Sequence, residues 1–315
     1  MEMTRFGRTG LTVSVVGLGC GGHSRLGQLT GATRSESERV VQRAIDLGIT
    51  FIDTAVSYGN EDIVGAAIIG ARDDLVLSTK ALVSGPDGRP VTGSDLRRSL
   101  DGSLQRLRTD RVDVFHLHGV HAHEYRHCVE ELRPVMSDLH DEGKIRSVAI
   151  SEAFNVDSSH EMLRLALTDD CWDTMMVGFN IVNQSARRHI LPRAIAQGVG
   201  VSAMYAVRRA LASPAELRQI VQDLISEGYI DAGGIDPADP LGFLVREGEV
   251  ESVTEAAYRY ARHEPGIDVV LTGTGNVSHL EANAESITAA PLDPEHVERL
   301  AEMFGTVEHL SISAT

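Results

Sequence analysis

An aspartate and a tyrosine stand five residues apart directly after a short apolar run. The run includes Phe51 and Ile52 and closes on Asp53, and Tyr58 follows in the next loop. Such a run is typical of a buried parallel strand, and a carboxylate at its end usually faces a site. We expect the loop to bring the Tyr58 hydroxyl back beside Asp53. The alternative is that Asp53 caps the following helix while Tyr58 packs on the surface.

Two later apolar runs also end in side chains that can exchange protons. The run from Leu75 ends in Lys80, and the run from Val112 ends in His118. If these runs are neighbouring strands of a parallel barrel, their ends and that of Asp53 meet at the face where barrel active sites are built. The sequence therefore predicts that these three side chains converge with the tyrosine.

The converging side chains suit proton transfer. A tyrosine with its ordinary pKa of ~10 is a poor acid at neutral pH, so a site that uses it must lower the cost of the tyrosinate. Lys80 supplies a nearby positive charge, and Asp53 can hold that lysine in place and keep it protonated. We therefore expect Tyr58 to act as the general acid and, in the reverse direction, as the base.

The remaining sequence must position these groups, and its pattern predicts an α/β fold. Eight strand-like runs alternate with helical patterns, which is the number of strands in a closed (β/α)8 TIM barrel. The predicted strands are residues 12–19, three runs that end at residues 53, 80 and 118, and residues 145–151, 173–179, 200–204 and 267–271. We expect residues 1–315 to form a single barrel domain.

A long connection, residues 205–264, follows the seventh predicted strand. It contains a predicted helix over 214–227, with Ser213 as N-cap and Gly228 as terminator, and a segment rich in Gly, Pro and Asp over 231–240. Long loops at the catalytic face of a rigid scaffold tend to carry ligand contacts. Other predicted helices span 35–47, 61–70, 94–107 and 124–142.

Composition excludes several classes of protein. The chain has 315 residues, 42% hydrophobic and 23% charged, and no apolar run long enough to span a bilayer. A formal net charge of −16 disfavours binding to nucleic acid. The three cysteines are widely separated, so neither a disulfide framework nor a zinc ribbon is expected. Since the first residues also lack the layout of a secretory signal, we expect a cytoplasmic protein.

Four motifs in the same order resemble the pattern of the aldo-keto reductase family, and the resemblance covers nearly the whole chain. The motifs are a hairpin over residues 5–14 followed by Gly17-Leu18-Gly19, then Asp53-Thr54-Ala55-x-x-Tyr58-Gly59 with Lys80 after a strand, then Asp113 with His118 five residues on, and finally Gly273-Thr274-Gly275-Asn276 through Asn283. The resemblance implies NADP- or NAD-dependent interconversion of a carbonyl and an alcohol. Asp53, Tyr58, Lys80 and His118 would form the catalytic tetrad, and His118 would orient the carbonyl for hydride attack.

The resemblance also implies where an extended nicotinamide coenzyme would bind, and no Gly-x-Gly-x-x-Gly fingerprint that leads from a strand directly into a helix suggests a separate cofactor domain. Ser151 resembles the serine that binds the carboxamide. The family's neighbouring asparagine is Glu152 here, and its sixth-strand glutamine is Met176. Tyr205 is the candidate for stacking on nicotinamide, and Arg208 or Arg209 suits the pyrophosphate, unless these arginines only form surface ion pairs.

Near the C-terminus, the resemblance places the adenosine phosphate at the start of a helix. Backbone N–H groups after Gly273, Thr274 and Gly275 could bind that phosphate, and Asn283 resembles the asparagine that contacts adenine. Relatives that prefer NADP carry Lys near position 273 and Arg near 279, where this chain has Gly273 and His279. The sequence is therefore compatible with NAD, with NADP or with a relaxed preference.

Other functions stay open at this point. A metal could bind the histidines between His116 and His127, but no matching ligand motif completes such a site, so no metal is predicted. A regulatory barrel without activity is a second alternative. A redox-neutral epimerisation or elimination, with Glu152 or His116 as an additional base, is a third.

Low aromatic content and polar loop residues favour a small polar, sugar-like substrate, and the oligomeric state is not predicted. The polar loop residues are His23, Ser24, Arg25, Ser57, Asn60, Ser84, His121 and His123.

Overall fold

The structure, a computed structural model, describes residues 1–233 and 235–308. Strands β1 (Met3–Arg5) and β2 (Thr12–Ser14) pair as an antiparallel hairpin. Eight parallel strands then close into a barrel in the order β10-β3-β4-β5-β6-β7-β8-β9. They are β3 (Val16–Gly19), β4 (Phe51–Asp53), β5 (Val76–Leu82), β6 (Val112–Val120), β7 (Ile145–Glu152), β8 (Thr174–Gly178), β9 (Gly200–Met204) and β10 (Val269–Thr272). The predicted (β/α)8 barrel with an N-terminal hairpin is confirmed.

Helices connect the strands and surround the barrel. They are α1 (Arg34–Asp46), α2 (Glu61–Ala67), α3 (Gly93–Leu107), α4 (Tyr125–His127), α5 (Arg133–Asp141), α6 (Glu161–Ala166), α7 (Ala186–His189), α8 (Leu191–Gln197), α9 (Arg209–Ala212), α10 (Pro214–Ser226), α11 (Gly242–Arg246), α12 (Val253–Arg262), α13 (Val277–Thr288) and α14 (Pro294–Phe304). No helix in the described ranges is long and apolar enough to cross a membrane.

The hairpin closes the N-terminal end of the barrel. Its apolar side chains form one buried cluster with interior side chains of five strands. The cluster comprises Phe6, Leu11, Val13, Phe51, Val76, Val114, Ala149 and Val269. The Phe6 and Phe51 rings meet edge to face, with centroids 5.3 Å apart. Because this end is filled, the C-terminal ends of the strands form the open face.

The prediction of one continuous strand over residues 12–19 is wrong. The chain leaves the hairpin at Ser14 and enters the barrel at Val16. The Ser14 hydroxyl donates to the Val16 carbonyl at 2.6 Å and accepts from the Thr50 amide at 2.9 Å. These bonds fix the turn between two segments that pair with different partners.

The predicted helix over 124–142 is interrupted. A π-helical turn over Cys128–Leu132 separates α4 from α5, and Pro134 occupies the first turn of α5. A proline there has no N–H to donate and its ring collides with the carbonyl four residues earlier, so the regular ladder of hydrogen bonds cannot continue through it.

The long connection after β9 is present and more helical than predicted. Its predicted helix is found as α10, with the Ser213 hydroxyl accepting from the Glu216 amide at 3.4 Å. Helices α11 and α12 in the same connection were not predicted. The segment over 231–240 includes residue 234, which lies outside the described residues.

Candidate active site

Asp53 and Lys80 form a buried ion pair at the open face. Asp53 is the last residue of β4, and Lys80 lies on β5, which continues two residues beyond the predicted end. Lys80 Nζ donates to both carboxylate oxygens of Asp53 at 2.6 Å and to the Thr54 carbonyl at 2.8 Å. The Ser78 hydroxyl donates to Asp53 Oδ1 at 2.8 Å. The lysine is therefore held in one position beneath the pocket.

The environment of this pair keeps Lys80 charged. Burial has the largest single effect on the pKa of the Lys80 ammonium and lowers it, but the Asp53 carboxylate and Tyr58 together raise it by more, so the net direction is upward. Burial raises the pKa of the Asp53 carboxyl, and Lys80 opposes that shift. Three hydrogen bonds from Nζ, two of them to one carboxylate, are satisfied by the charged pair. We therefore treat Asp53 as ionised and Lys80 as protonated.

Tyr58 lies above this ion pair. It ends a short 3-10 turn, Val56–Tyr58, and its ring centre is 5.1 Å from Lys80 Nζ. Burial raises the pKa of Tyr58, whereas Lys80 lowers it, and the net direction is upward. The hydroxyl therefore keeps its proton at neutral pH, and the lysine charge is positioned to stabilise the tyrosinate once that proton leaves.

Gly21 makes room for the tyrosine. A Cβ atom built at Gly21 would lie 2.5 Å from Tyr58 Cζ, far inside van der Waals contact. The close approach at Gly21 is therefore that of the tyrosine ring.

His118 borders the same space. It lies on β6 in register with Leu82, and β6 continues two residues past it. Its ring meets the Tyr58 ring edge to face, with centroids 5.6 Å apart, and its Nδ1 is 3.3 Å from the Ser57 hydroxyl. Burial, and then the charge of Lys80, lower the pKa of His118 to about 3. The imidazole is therefore neutral at physiological pH.

Together these groups can transfer and direct a proton. Tyr58 and His118 are partly exposed at the open face, while Asp53 and Lys80 are buried beneath them. The four predicted catalytic residues are thus brought together. Asn60, by contrast, is buried and donates to the Cys20 carbonyl at 2.7 Å, so it supports the loop and is not an exposed pocket residue.

The three predicted carboxamide contacts lie side by side at the ends of β7 and β8. The Ser151 hydroxyl accepts from the Gly119 amide at 2.9 Å, and Met176 is buried. Both oxygens of Glu152 are engaged, since His160 Nδ1 donates to Oε2 at 2.8 Å and the Gly178 amide donates to Oε1 at 2.8 Å. The Glu152 carboxylate is therefore directed to its own neighbours in the structure.

Tyr205 directly follows β9 and is partly exposed. Because β9 ends at the open face, Tyr205 lies at the same face of the barrel as Tyr58. Arg208 lies over the Tyr205 ring, 4.9 Å from its centre, and donates to the Asn155 amide oxygen at 2.8 Å. Arg208 is buried, and burial lowers its pKa. The Arg209 side chain lies outside the described part of the chain.

The predicted phosphate-binding segment precedes α13. The Asn276 side chain caps this helix by accepting from the His279 amide at 3.1 Å. A Cβ atom at Gly273 would lie 3.0 Å from the Gly19 carbonyl oxygen, so a side chain there would crowd the backbone. His279 is exposed, and Asn283 donates to the Thr272 hydroxyl at 2.8 Å.

An open pocket of about 690 Å³ lies between this segment and α1. Thr274, Gly275 and His279 line one side, and Glu36 and Arg39 of α1 line the other. Sequence reasoning did not identify the two α1 residues as candidates. Their spacing puts them on one face of α1, but nothing local indicates that this face meets a segment more than two hundred residues later.

No group of three or more potential metal ligands occurs within residues 1–233 and 235–308. His116, considered above as a possible ligand or base, is buried inside the barrel, and burial lowers its pKa well below the usual value. The described residues therefore give no support to a metal centre.

Sequence comparisons find one matching family model and relatives of similar length. A sequence model of the aldo/keto reductase family matches residues 17–304. The aldo-keto reductase YhdN of Bacillus subtilis is 28% identical over 317 residues, covering 94% of this chain and 91% of that protein. The L-galactose dehydrogenase of Arabidopsis thaliana is 27% identical over 326 residues, covering 99% and 97%.

A solved structure shares the fold. The holo form of aldo-keto reductase AKR11C1 from Bacillus halodurans superposes with a TM-score of 0.71, over 95% of this chain and 96% of that one. The two sequences are 24% identical, so this likeness bears on the fold alone.

Proposed function

Since the chain belongs to the aldo/keto reductase family, we propose that it is an NAD(P)-dependent oxidoreductase that reduces an aldehyde or ketone, or oxidises the alcohol, of a small polar substrate. One observation carries the proposal. The buried Asp53–Lys80 pair lies beneath the partly exposed Tyr58 ring, with neutral His118 at the edge of that ring. This arrangement suits proton delivery to a carbonyl oxygen.

In the reductive direction, Tyr58 gives its hydroxyl proton to the substrate oxygen as negative charge develops there. Lys80 stabilises the tyrosinate that remains, and Asp53 holds Lys80 in place. In the oxidative direction, the tyrosinate takes the alcohol proton. The net upward shift of the Tyr58 pKa agrees with a resting enzyme that carries the proton to be given.

His118 orients the substrate. Its Nδ1 faces the Ser57 hydroxyl, which leaves Nε2 to hydrogen-bond the carbonyl oxygen. Because its pKa is lowered to about 3, this contact comes from a neutral ring that does not compete with Tyr58 as an acid.

A bound nicotinamide coenzyme supplies or accepts the hydride in this chemistry. The residues that would hold it are Tyr205 and Ser151 near the reacting end and the segment before α13 at the phosphate end. The pocket beside that segment and the exposed part of Tyr205 fit such a ligand. Since Arg39 offers one positive charge there and Glu36 one negative charge, we propose that both NADH and NADPH bind.

The substrate proposed is hydroxylated and sugar-like. Ser57 and Leu82 are exposed beside His118, so the rim offers a hydroxyl and one apolar surface. Arg25 adds a partly buried charged side chain near the Tyr58 carbonyl. The similarity to an L-galactose dehydrogenase supports the same class of substrate.

Replacement of Tyr58 tests the proposal. Tyr58→Phe should lower kcat for a panel of sugar and simple aldehydes by at least about 100-fold, the usual scale of general acid catalysis. The Kd of NADPH or NADH should stay within about twofold, because the ring is retained. Tyr229→Phe, at an exposed tyrosine, is the matched control and should keep full turnover. Unchanged turnover by Tyr58→Phe would exclude this role.

The two other functions considered from the sequence gain no specific support. A redox-neutral reaction with Glu152 as the base requires a free carboxylate, and both oxygens of Glu152 are hydrogen-bonded. A barrel without activity has no need for a charged pair buried beneath a tyrosine, since burying charge is costly.

A further inference from the structure

A stack of three aromatic rings runs from the interior to Tyr205. The His160 and Phe154 rings are stacked with centroids 5.5 Å apart and planes 28° apart. The Phe154 and Tyr205 rings are stacked with centroids 5.7 Å apart and planes 25° apart. Phe154 and His160 are buried, whereas Tyr205 is partly exposed. The stack therefore connects a buried anchor to a surface at the open face.

Hydrogen bonds fix the buried end of the stack. His160 Nδ1 donates to Glu152 at 2.8 Å, and His160 Nε2 lies 2.9 Å from the Ser185 hydroxyl. The Gly178 amide donates to the same glutamate at 2.8 Å. With both ring nitrogens and the carboxylate engaged in a buried environment, the imidazole has one orientation.

The middle ring is held against the end of β8. A Cβ atom built at Gly178 would lie 2.3 Å from the Cγ and Cδ2 atoms of Phe154. The phenylalanine ring therefore rests directly on the glycine backbone. Gly178 is in turn held in the barrel, because β8 pairs with β9 there.

Tyr205 itself adopts a backbone conformation that side chains disfavour. Its φ is +61°, in the left-handed region, which persists for a residue other than glycine only when surrounding contacts hold it. Asn180 donates to the Tyr205 carbonyl at 3.2 Å, and Phe154 supports its ring. These contacts fix the direction in which the ring points.

One face of the partly exposed Tyr205 ring is covered by neither Phe154 nor Arg208. Arg208 lies 4.9 Å from the Tyr205 centre and 5.7 Å from the Phe154 centre, and the two rings are 5.7 Å apart. This triangle is too compact for Phe154 and Arg208 to cover opposite faces of the tyrosine. The face directed away from Phe154 is therefore not covered by either.

We propose that Phe154, anchored by the buried Glu152–His160 pair, is the positioning residue that presents the free face of Tyr205 to the nicotinamide ring. This inference rests on the proposed function and specifies how its coenzyme is held. Ring support takes the place of the amide side chains that the family pattern has at positions 152 and 176. It also gives Glu152 a role without contact to the coenzyme.

Binding measurements with two ligands test this inference. Phe154→Leu removes the middle ring, so the Kd of NADPH measured by calorimetry should rise by about tenfold, as expected for a lost aromatic contact and a less ordered partner ring. ADP-ribose, which lacks nicotinamide, should bind within about twofold of wild type, since its adenosine phosphate would lie at the α13 pocket and Arg208, the candidate for its pyrophosphate, keeps its hydrogen bond to Asn155. Tyr205→Leu should give the same selective loss, and the double variant no further loss.

Phe179→Leu is the matched control, because Phe179 is also buried and stacked, on Tyr260 at 5.8 Å. Phe179→Leu should lower the unfolding free energy but should not change the Kd of NADPH more than the Kd of ADP-ribose. Equal effects of Phe154→Leu on NADPH and ADP-ribose, or none on either, would overturn the inference. If Phe154→Leu does not fold, the same two Kd values are measured for His160→Gln, which keeps the Phe154 ring but removes its anchor. A selective loss of NADPH binding is again expected. Wild-type protein that binds ADP-ribose but neither NADPH nor NADH would overturn the proposed function and this inference together.

Discussion

His116 and His118 lie two residues apart on β6 and are neutral for the same physical reason. Burial, and then the Lys80 charge, lower the pKa of His118 to about 3 and that of His116 well below its usual value. A histidine in the unfolded chain titrates near pH ~6.5. As pH falls below that value, the unfolded state therefore takes up protons that the folded state does not, and stability is lost.

A His116→Leu variant should show this effect as a difference between two pH values. At pH 7, the folded wild type does not hold the proton and only about a quarter of the unfolded molecules do, given an ordinary pKa of ~6.5, so linkage contributes little. Between pH 6.5 and 5, each such histidine costs the wild type about 1.4 kcal/mol of unfolding free energy per pH unit. The stability of the variant relative to wild type should therefore improve by about 2 kcal/mol from pH 7 to pH 5, measured by urea unfolding.

Val114→Ala on the same strand is the control for this comparison, since Val114 is fully buried but carries no titrating group. Its stability relative to wild type should be the same at both pH values. If His116→Leu also shows no change with pH, then His116 is accessible to protons in the folded state and the burial argument fails.

Helices α1 and α13 border the proposed coenzyme pocket from opposite sides, although they are far apart in sequence. The contact is close because Gly27, just before α1, faces Gly275, where an added Cβ would lie 2.3 Å from the Gly27 Cα. Arg39 thus provides a cation beside a segment that itself carries Gly273 and His279 instead of Lys and Arg. We expect this arginine to influence which coenzyme binds.

Arg39→Leu should weaken the binding of NADPH more than the binding of NADH. The Arg39 side chain is 62% exposed, so its attraction for a 2′-phosphate is screened, and a difference of about threefold in the ratio of the two Kd values is expected. Glu36→Gln should shift the ratio the other way. Arg98→Leu on α3, with a side chain 71% exposed, should leave it unchanged. A ratio unaffected by Arg39→Leu would show that this arginine does not contact the phosphate.

Elements defined by local patterns were predicted well, and those that depend on distant contacts were not. Apolar runs closing on Asp53, Lys80 and His118 identified strands β4, β5 and β6, although β5 and β6 each end two residues later, because strand burial and parallel order are visible in the sequence. The start of α12 also had a local signal that went unused, Ser252 followed three residues later by Glu255.

The missed features have a common cause. The break at Val15 depends on which strand pairs with β1, and the role of Gly21 depends on where the Tyr58 ring lies. The support that Phe154 gives Tyr205 joins residues fifty-one positions apart in sequence. Such packing depends on the closed barrel as a whole, so no single sequence window contains it.

The side chains that stabilise the barrel and the candidate catalytic side chains lie at opposite ends of the barrel axis. The end closed by the hairpin contains an apolar cluster around Phe6 and Phe51, whereas the open end holds Tyr58 and His118. Barrel enzymes place catalysis at the ends where strands terminate, and the other end contributes mainly to folding. Substitutions at the closed end should therefore change stability but not turnover, and substitutions at the open end should change turnover but not stability.

Phe6→Ala tests this separation. Phe6 is fully buried and lies on Gly200, so truncation leaves a cavity and should lower the unfolding free energy by about 3–5 kcal/mol, measured by urea unfolding. The folded fraction should keep the wild-type kcat and coenzyme Kd at low temperature, whereas Tyr58→Phe should keep stability and lose turnover. If Phe6→Ala instead changed kcat in fully folded protein, the hairpin end would be coupled to the pocket through the layers of side chains inside the barrel, and the two ends could not be treated as independent.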